Sequence, residues 1–247
     1  MTRREFAATM GAALASLTLS GACGEAEPSS DGRLTARPRT GVRTSAAGDR
    51  PLGLEPRRDA ILHIPARAGT GPLPLLVLLH GAGGSGKGVL ERLGTLPDDT
   101  GVVVLAPDSR DSTWDAIRGG FGPDIAFLNR ALERVFATVA IDPARIAMGG
   151  FSDGATYALS LGLINGDLCH KVVAFSAGFV VDGPVHGKPQ FFISHGTADG
   201  ILPINQCGRP IAANLQRRGY DVTFREFKGG HEVPPAIARE ALGWVAS

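Results

Sequence analysis

Gly149-Gly150-Phe151-Ser152-Asp153-Gly154-Ala155 is the stretch on which the reading of this chain turns. Residues 150–154 read Gly-x-Ser-x-Gly, between a short apolar run at 145–148 and a helix-like run at 155–164. A serine placed between a strand and a helix sits on a tight, strained turn. Flanking glycines let the two backbones approach where a Cβ would collide. The expected result is a hydroxyl presented above the edge of a sheet. With 34 glycines in 247 residues, chance places such a pattern easily, so the rest of the chain has to decide.

Around this stretch, strands and helices alternate. Residues 60–64 predict a strand stopped by Pro65, and 73–80 a continuous apolar strand buried on both faces. A glycine loop at 81–88 leads into a short helix at 89–93. Strands follow at 102–106, 171–176, 190–194 and 222–227, with helices at 123–139, 204–218 and 235–245. The helix at 123–139 opens on Pro123 and aligns Ile125, Leu128, Leu132, Val135 and Val139 on one face. This order predicts an α/β fold, a mostly parallel sheet with helices on both faces. The 177–189 connection is short and leaves little room for a lid.

Composition sets outer bounds. The chain is 43% hydrophobic and 20% charged with a net charge of +1, an ordinary globular balance that implies no nucleic-acid partner. Three cysteines are too few for a disulfide scaffold or a cysteine-based zinc site, and no metal or cofactor is expected. Cys169 and Cys207 fall on opposite edges of the predicted sheet, too far apart for a disulfide.

The first residues read as an export leader. Arg3-Arg4-Glu5-Phe6 resembles a twin-arginine signal, and a weakly apolar run to Leu19 is too short to span a bilayer. Ser20-Gly21-Ala22-Cys23 resembles a bacterial lipoprotein box, which would make Cys23 the lipidated first residue of the mature chain. Residues 1–22 are therefore an expected signal and 23–58, rich in Gly, Ser, Pro and Arg, a flexible tether. Removing the signal takes away two arginines and one glutamate and leaves no net charge. The expected location is periplasmic or cell-surface, with membrane contact only through a lipid anchor. The catalytic unit is expected at 59–247, as a monomer.

A serine hydroxyl needs a base to take its proton and an acid to orient that base. Of the six histidines, His231 alone follows the last strand, on a Gly229-Gly230 turn. The acid must lie at a C-terminal strand end. Asp199, just past 190–194, is the first choice and Asp182 the second. Two backbone amides must meet the developing oxyanion. One belongs to Asp153, after the serine; the other to the loop at 80–83, with Ala82 favoured and Gly81 as alternate. Trp114 is assigned as a wall of the substrate pocket, together with Gly81. His195 reads as a brace for the acid loop and His80 as structural.

Taken together, His80-Gly81, the Gly150–Gly154 elbow, His195-Gly196-x-x-Asp199 and Gly230-His231 resemble the α/β-hydrolase superfamily. More narrowly they are similar to the phospholipase/carboxylesterase group and to polyhydroxybutyrate depolymerase-like esterases. The resemblance covers 59–247 and implies an α/β-hydrolase fold with Ser152 as nucleophile, His231 as base and Asp199 as acid. The implied activity is cleavage of small or polymeric carboxylic esters, with polyester or feruloyl esters as alternatives. Asp153 departs from the pattern, which more often has Gln, Asn, Met or His. Two competing readings exist. Residues 81–88 nearly match a phosphate-binding loop, but Gly88 replaces the magnesium-binding hydroxyl. A non-catalytic binding protein on a hydrolase scaffold is the other.

Overall fold

The computed structural model describes residues 31–66 and 71–247. Signal residues 1–22 and Cys23 lie outside the described residues. Eight strands form one sheet: β1 (Gly48–Pro51), β2 (Ala60–Ile64), β3 (Leu73–Leu79), β4 (Val103–Pro107), β5 (Ile141–Phe151), β6 (Lys171–Phe175), β7 (Gln190–Gly196) and β8 (Val222–Phe227). Their order across the sheet is β1-β2-β4-β3-β5-β6-β7-β8. The first two pairings, β1–β2 and β2–β4, are antiparallel and all others parallel.

Strand β3 is buried at every position, as its unbroken apolar run requires. Its alternate side chains serve opposite layers. Leu75, Val77 and Leu79 pack with α4 (Pro123–Thr138) and α5 (Asp153–Ile164). Leu76 and Leu78 pack with α1 (Gly86–Glu91), α2 (Leu96–Thr100) and α7 (Pro235–Ala246). Helix α6 (Gly208–Arg217) extends the first layer over β6 and β7. A short α3 (Asp115–Arg118) precedes α4. The chain steps from β3 to one side, to β4, and then returns to the other side, to β5. Such a reversal opens a crevice at the C-terminal strand ends, where ligands of open α/β sheets bind. The loops after β3 and β5 flank that crevice. Residues 176–189, between β6 and β7, contain no helix.

Several element edges differ from the sequence reading. Strand β5 begins at Ile141 rather than 145, because β3 pairs with β5 through a register shift between Leu73 and Leu75. Helix α6 begins only at Gly208, because residues 204–207 form a turn in which the Gln206 and Cys207 amides donate to Pro203 O.

Residues 31–58 are a packed strap, which corrects the expectation of a flexible tether over that stretch. Leu34, Ala36 and Leu52 are buried in the core, and β1 adds an edge strand. The strap's backbone is held by two asparagine side chains. Asn165 Oδ1 accepts from Leu34 N (2.8 Å) and its amide donates to Gly32 O (3.0 Å). Asn129 Oδ1 accepts from Thr35 N (2.7 Å) and Ala36 N (3.2 Å). Arg33 and Arg37 both pair with Asp167 at 2.8 Å. Low apolar content suggested that the stretch could not be held, but side-chain amides satisfy its backbone where no sheet ladder does.

Candidate active site

Ser152 occupies φ 58°, ψ −121°, a conformation that a residue with a Cβ adopts only under strain, at a cost of about 1–3 kcal/mol. Its neighbours explain how the strain is held. A Cβ on Gly150 would lie 2.4 Å from the Gly154 carbonyl, and one on Gly154 only 2.2 Å from Leu79 O. Both glycines are thus required by contact distance. The Ser152 amide donates to Phe175 O at 2.9 Å, which ties the turn to β6.

His231 reaches over this turn from the loop after β8. Its Nε2 stands 2.9 Å from Ser152 Oγ and its Nδ1 2.7 Å from Asp199 Oδ2. The ring also packs on Phe151, with centroids 4.8 Å apart. Asp199 Oδ1 accepts the amides of Ile201 (2.9 Å) and Leu202 (2.8 Å). Burial alone would raise this carboxyl, but the Leu202 and Ile201 amides and His231 outweigh it and hold it below the ordinary carboxylate range. Asp182, the second choice for the acid, is exposed beside α6. His195, fully buried, donates from Nε2 to Leu202 O at 2.7 Å and stands 3.3 Å from Asp199 Oδ2. It holds the turn that carries Asp199.

The loop after β3 lies against Ser152. A Cβ on Gly81 would be 3.2 Å from Ser152 Cβ. Gly81 O accepts from His80 Nδ1 (2.7 Å) and from Gly84 N (3.0 Å). In a trans peptide the carbonyl and the next amide point in opposite directions, so these bonds turn the Ala82 N–H away from them. Among the described residues, neither Ala82 N nor Asp153 N is bonded to a backbone carbonyl. His80 does more than fill space. Its Nε2 accepts from Ser109 N at 3.0 Å, which leaves the ring's proton on Nδ1 to hold Gly81. Burial keeps the imidazole below its ordinary basicity, favouring this neutral form.

Trp114 is not a pocket wall, a correction to the sequence reading. It is fully buried, stacked on Tyr157 at 5.3 Å and tilted against His80 at 4.9 Å. Its Nε1 donates to His80 O at 2.8 Å. A large ring with one polar atom is buried most favourably where that atom finds a carbonyl, and here the carbonyl belongs to the residue before the candidate oxyanion loop. The same segment braces its neighbours: Gly83 N donates to Ser112 O (2.6 Å) and Thr113 Oγ1 to Asp153 Oδ2 (2.6 Å). Thr113 carried no signal in the sequence.

Cys169 and Cys207 are both buried free thiols. Burial pushes the Cys169 thiol up to about 12, which makes it inert. Among the described residues no group of three or more His, Cys, Asp or Glu side chains could hold a metal ion. No helix among them is long and apolar enough to cross a membrane.

Comparison with known proteins addresses the fold that carries these residues. The crystal structure of esterase PE8 superposes with a TM-score of 0.61 at 24% identity, over 74% of this chain and 95% of that one. The fold is that of the α/β-hydrolases. The phospholipase/carboxylesterase family profile matches residues 125–243 of this chain. A probable feruloyl esterase C from Aspergillus clavatus is 28% identical over 163 residues, 60% of this chain and 57% of that protein. Acyl-protein thioesterase 1 from Emericella nidulans is 32% identical over 98 residues, 36% of this chain and 41% of that protein. The matched stretches thus span about half the length of these two relatives.

Proposed function

We propose that this chain is a serine hydrolase that cleaves carboxylic esters through an acyl-enzyme. The observation that carries the proposal is the continuous contact from Asp199 through His231 to Ser152, at 2.7 and 2.9 Å. Ser152 Oγ attacks the ester carbonyl while His231 Nε2 takes its proton. Asp199 keeps the remaining imidazole proton on Nδ1 and stabilises the imidazolium that forms. The amides of Ala82 and Asp153 receive the oxyanion, each such donor being worth about 10²–10³ in rate. His231 then returns the proton to the leaving alcohol, and water, activated by the same imidazole, releases the acid.

Similarity to a probable feruloyl esterase supports a second, narrower reading in which the acyl group is a hydroxycinnamate. The absence of a helix over residues 176–189 supports accessible esters as substrates. The leader sequence supports export and anchoring through Cys23, and the reading takes the enzyme as a monomer. Labelling by a fluorophosphonate should occur at Ser152 and vanish in Ser152→Ala. The same variant should lose at least about 10⁴-fold in kcat on 4-nitrophenyl butyrate. Retained hydrolysis in that variant rules the mechanism out. Methyl ferulate run beside the butyrate ester tests the narrower reading.

A further inference from the structure

The glycine loop that resembled a phosphate-binding loop has a use that the proposed ester hydrolysis leaves unassigned. Its residues Gly81–Ser85, together with Gly88, Phe151 and Arg92, line a cleft of about 260 Å³ that begins at the candidate oxyanion loop. Lys87, the cation of the near-motif, is not part of that lining. It is exposed and paired with Glu91 at 3.7 Å. The cleft's cation is instead Arg92, at the end of α1. Its guanidinium carbon sits 5.6 Å from the centre of the Phe151 ring, and that ring packs in turn against His231.

The acidic side chains nearest in sequence to either wall are engaged elsewhere. Glu91 pairs with Lys87. Asp153 accepts from Thr113. Asp98 accepts from Ala66 N at 2.6 Å, and Asp99 accepts from Thr95 and faces Arg239 at 3.8 Å. Among the described residues Arg92 makes no ion pair. Most of the glycines here have packing reasons: a Cβ on Gly86 would lie 2.1 Å from Ala106 O, and one on Gly84 3.0 Å from Gly81 O. Arg92 has none of that kind: it is exposed, and its guanidinium lies over the face of Phe151. An arginine stacked on an aromatic ring is held in a limited set of orientations while its N–H groups stay free for a planar, bidentate acceptor.

The geometry points to Arg92 as a specificity-determining residue: it recognises ester substrates that carry a carboxylate or other anionic group, seated in the cleft of the glycine loop. This inference rests on the esterase reading of Ser152. The anion lies on either the acyl or the alcohol part of the ester, and two substrate pairs distinguish them. 4-Nitrophenyl hydrogen adipate is compared with 4-nitrophenyl hexanoate, and 4-acetoxybenzoate with its neutral methyl ester. In Arg92→Gln, kcat/KM for the anionic member of one pair should fall about tenfold relative to its neutral partner, mainly through KM. Charge reversal in Arg92→Glu should lower it further. Added salt should shrink the wild-type preference. Neutral esters should change less than about twofold, which also reports that the variants fold. An anionic-to-neutral ratio identical in wild type and Arg92→Gln for both pairs overturns the inference. Failure of the wild type to hydrolyse any of the four esters would instead remove the esterase reading beneath it.

Discussion

Asp199 holds His231 through one oxygen only: Oδ2 stands 2.7 Å from Nδ1, while Oδ1 is occupied by the Ile201 and Leu202 amides. That division of labour makes Asp199→Asn informative. The asparagine oxygen must stay on the two amides, so its NH₂ faces His231. The imidazole then has to accept at Nδ1 and carry its proton on Nε2, where it donates to Ser152 instead of accepting. A fall in kcat of about 10⁴-fold is expected with the fold intact, read from steady-state hydrolysis beside the circular dichroism spectrum. Activity within tenfold of wild type would remove Asp199 from the mechanism.

Thr113 pins the one unusual residue of the elbow, donating to the Asp153 carboxylate at 2.6 Å. The Asp153 amide is a candidate oxyanion donor, so in the proposed mechanism its carboxylate lies close to where negative charge would develop. Thr113→Val removes the donor at constant shape and should cost about 1 kcal/mol of stability by urea denaturation. It should also lower kcat about three- to tenfold, because a freed carboxylate can swing toward the oxyanion. Thr113→Ser keeps the hydroxyl and should behave as wild type. Lost stability with unchanged kcat would confine the contact to folding.

The parts of the site that were legible in the sequence are those fixed by backbone geometry. Ser152 needed glycines on both sides because contact distances near 2.2–2.4 Å exclude any Cβ, and that requirement is written in the residues themselves. His231 and Asp199 were legible because a parallel sheet presents its loops at one edge. Trp114 was misread for the opposite reason. Its loop leaves the correct edge but folds back so that the Trp114 ring is buried and donates to His80 O, a contact that no local pattern announces. The strap at 31–58 was misread because its partners, Asn129 and Asn165, lie about a hundred residues away. Arg92 was invisible because nothing in a helix-end arginine says which ring it covers.

Buried acid chemistry outside the site gives a pH signature. Asp124 is 1% exposed and accepts the amides of Arg110 (2.6 Å) and Asp115 (2.7 Å). Burial outweighs these bonds and lifts its carboxyl to about 6. In the unfolded chain an aspartate titrates near 3.9. Between about pH 4 and 6 the unfolded state therefore releases a proton that the folded state keeps, and stability falls as pH rises. Above about 6 the penalty is complete, on the order of 3 kcal/mol. Asp199 works in the other direction: its carboxyl is held low, so its contribution is present above about pH 4 and is lost as pH falls through its folded value. Urea midpoints measured across pH 4–7 should show a decline between 4 and 6 that Asp124→Asn removes. An unchanged slope in that variant would assign the pH dependence elsewhere.

The strap makes the last and most direct prediction. Leu34 is fully buried, and its amide is bonded to the equally buried Asn165 side chain. If residues 31–58 were a tether, Leu34→Ala would be a surface change worth less than about 0.5 kcal/mol. As a core substitution it should cost about 2–5 kcal/mol. Asn165→Ala strips partners from the Leu34 N–H and the Gly32 carbonyl. Each group left buried and unpaired costs about 1–3 kcal/mol, so this variant should lose a similar amount although its side chain lies 131 residues away. Because each change frees the same segment, the double variant should lose less than the two losses added. Full additivity in urea denaturation would mean that Leu34 and Asn165 are buried independently and that the strap is not a single unit.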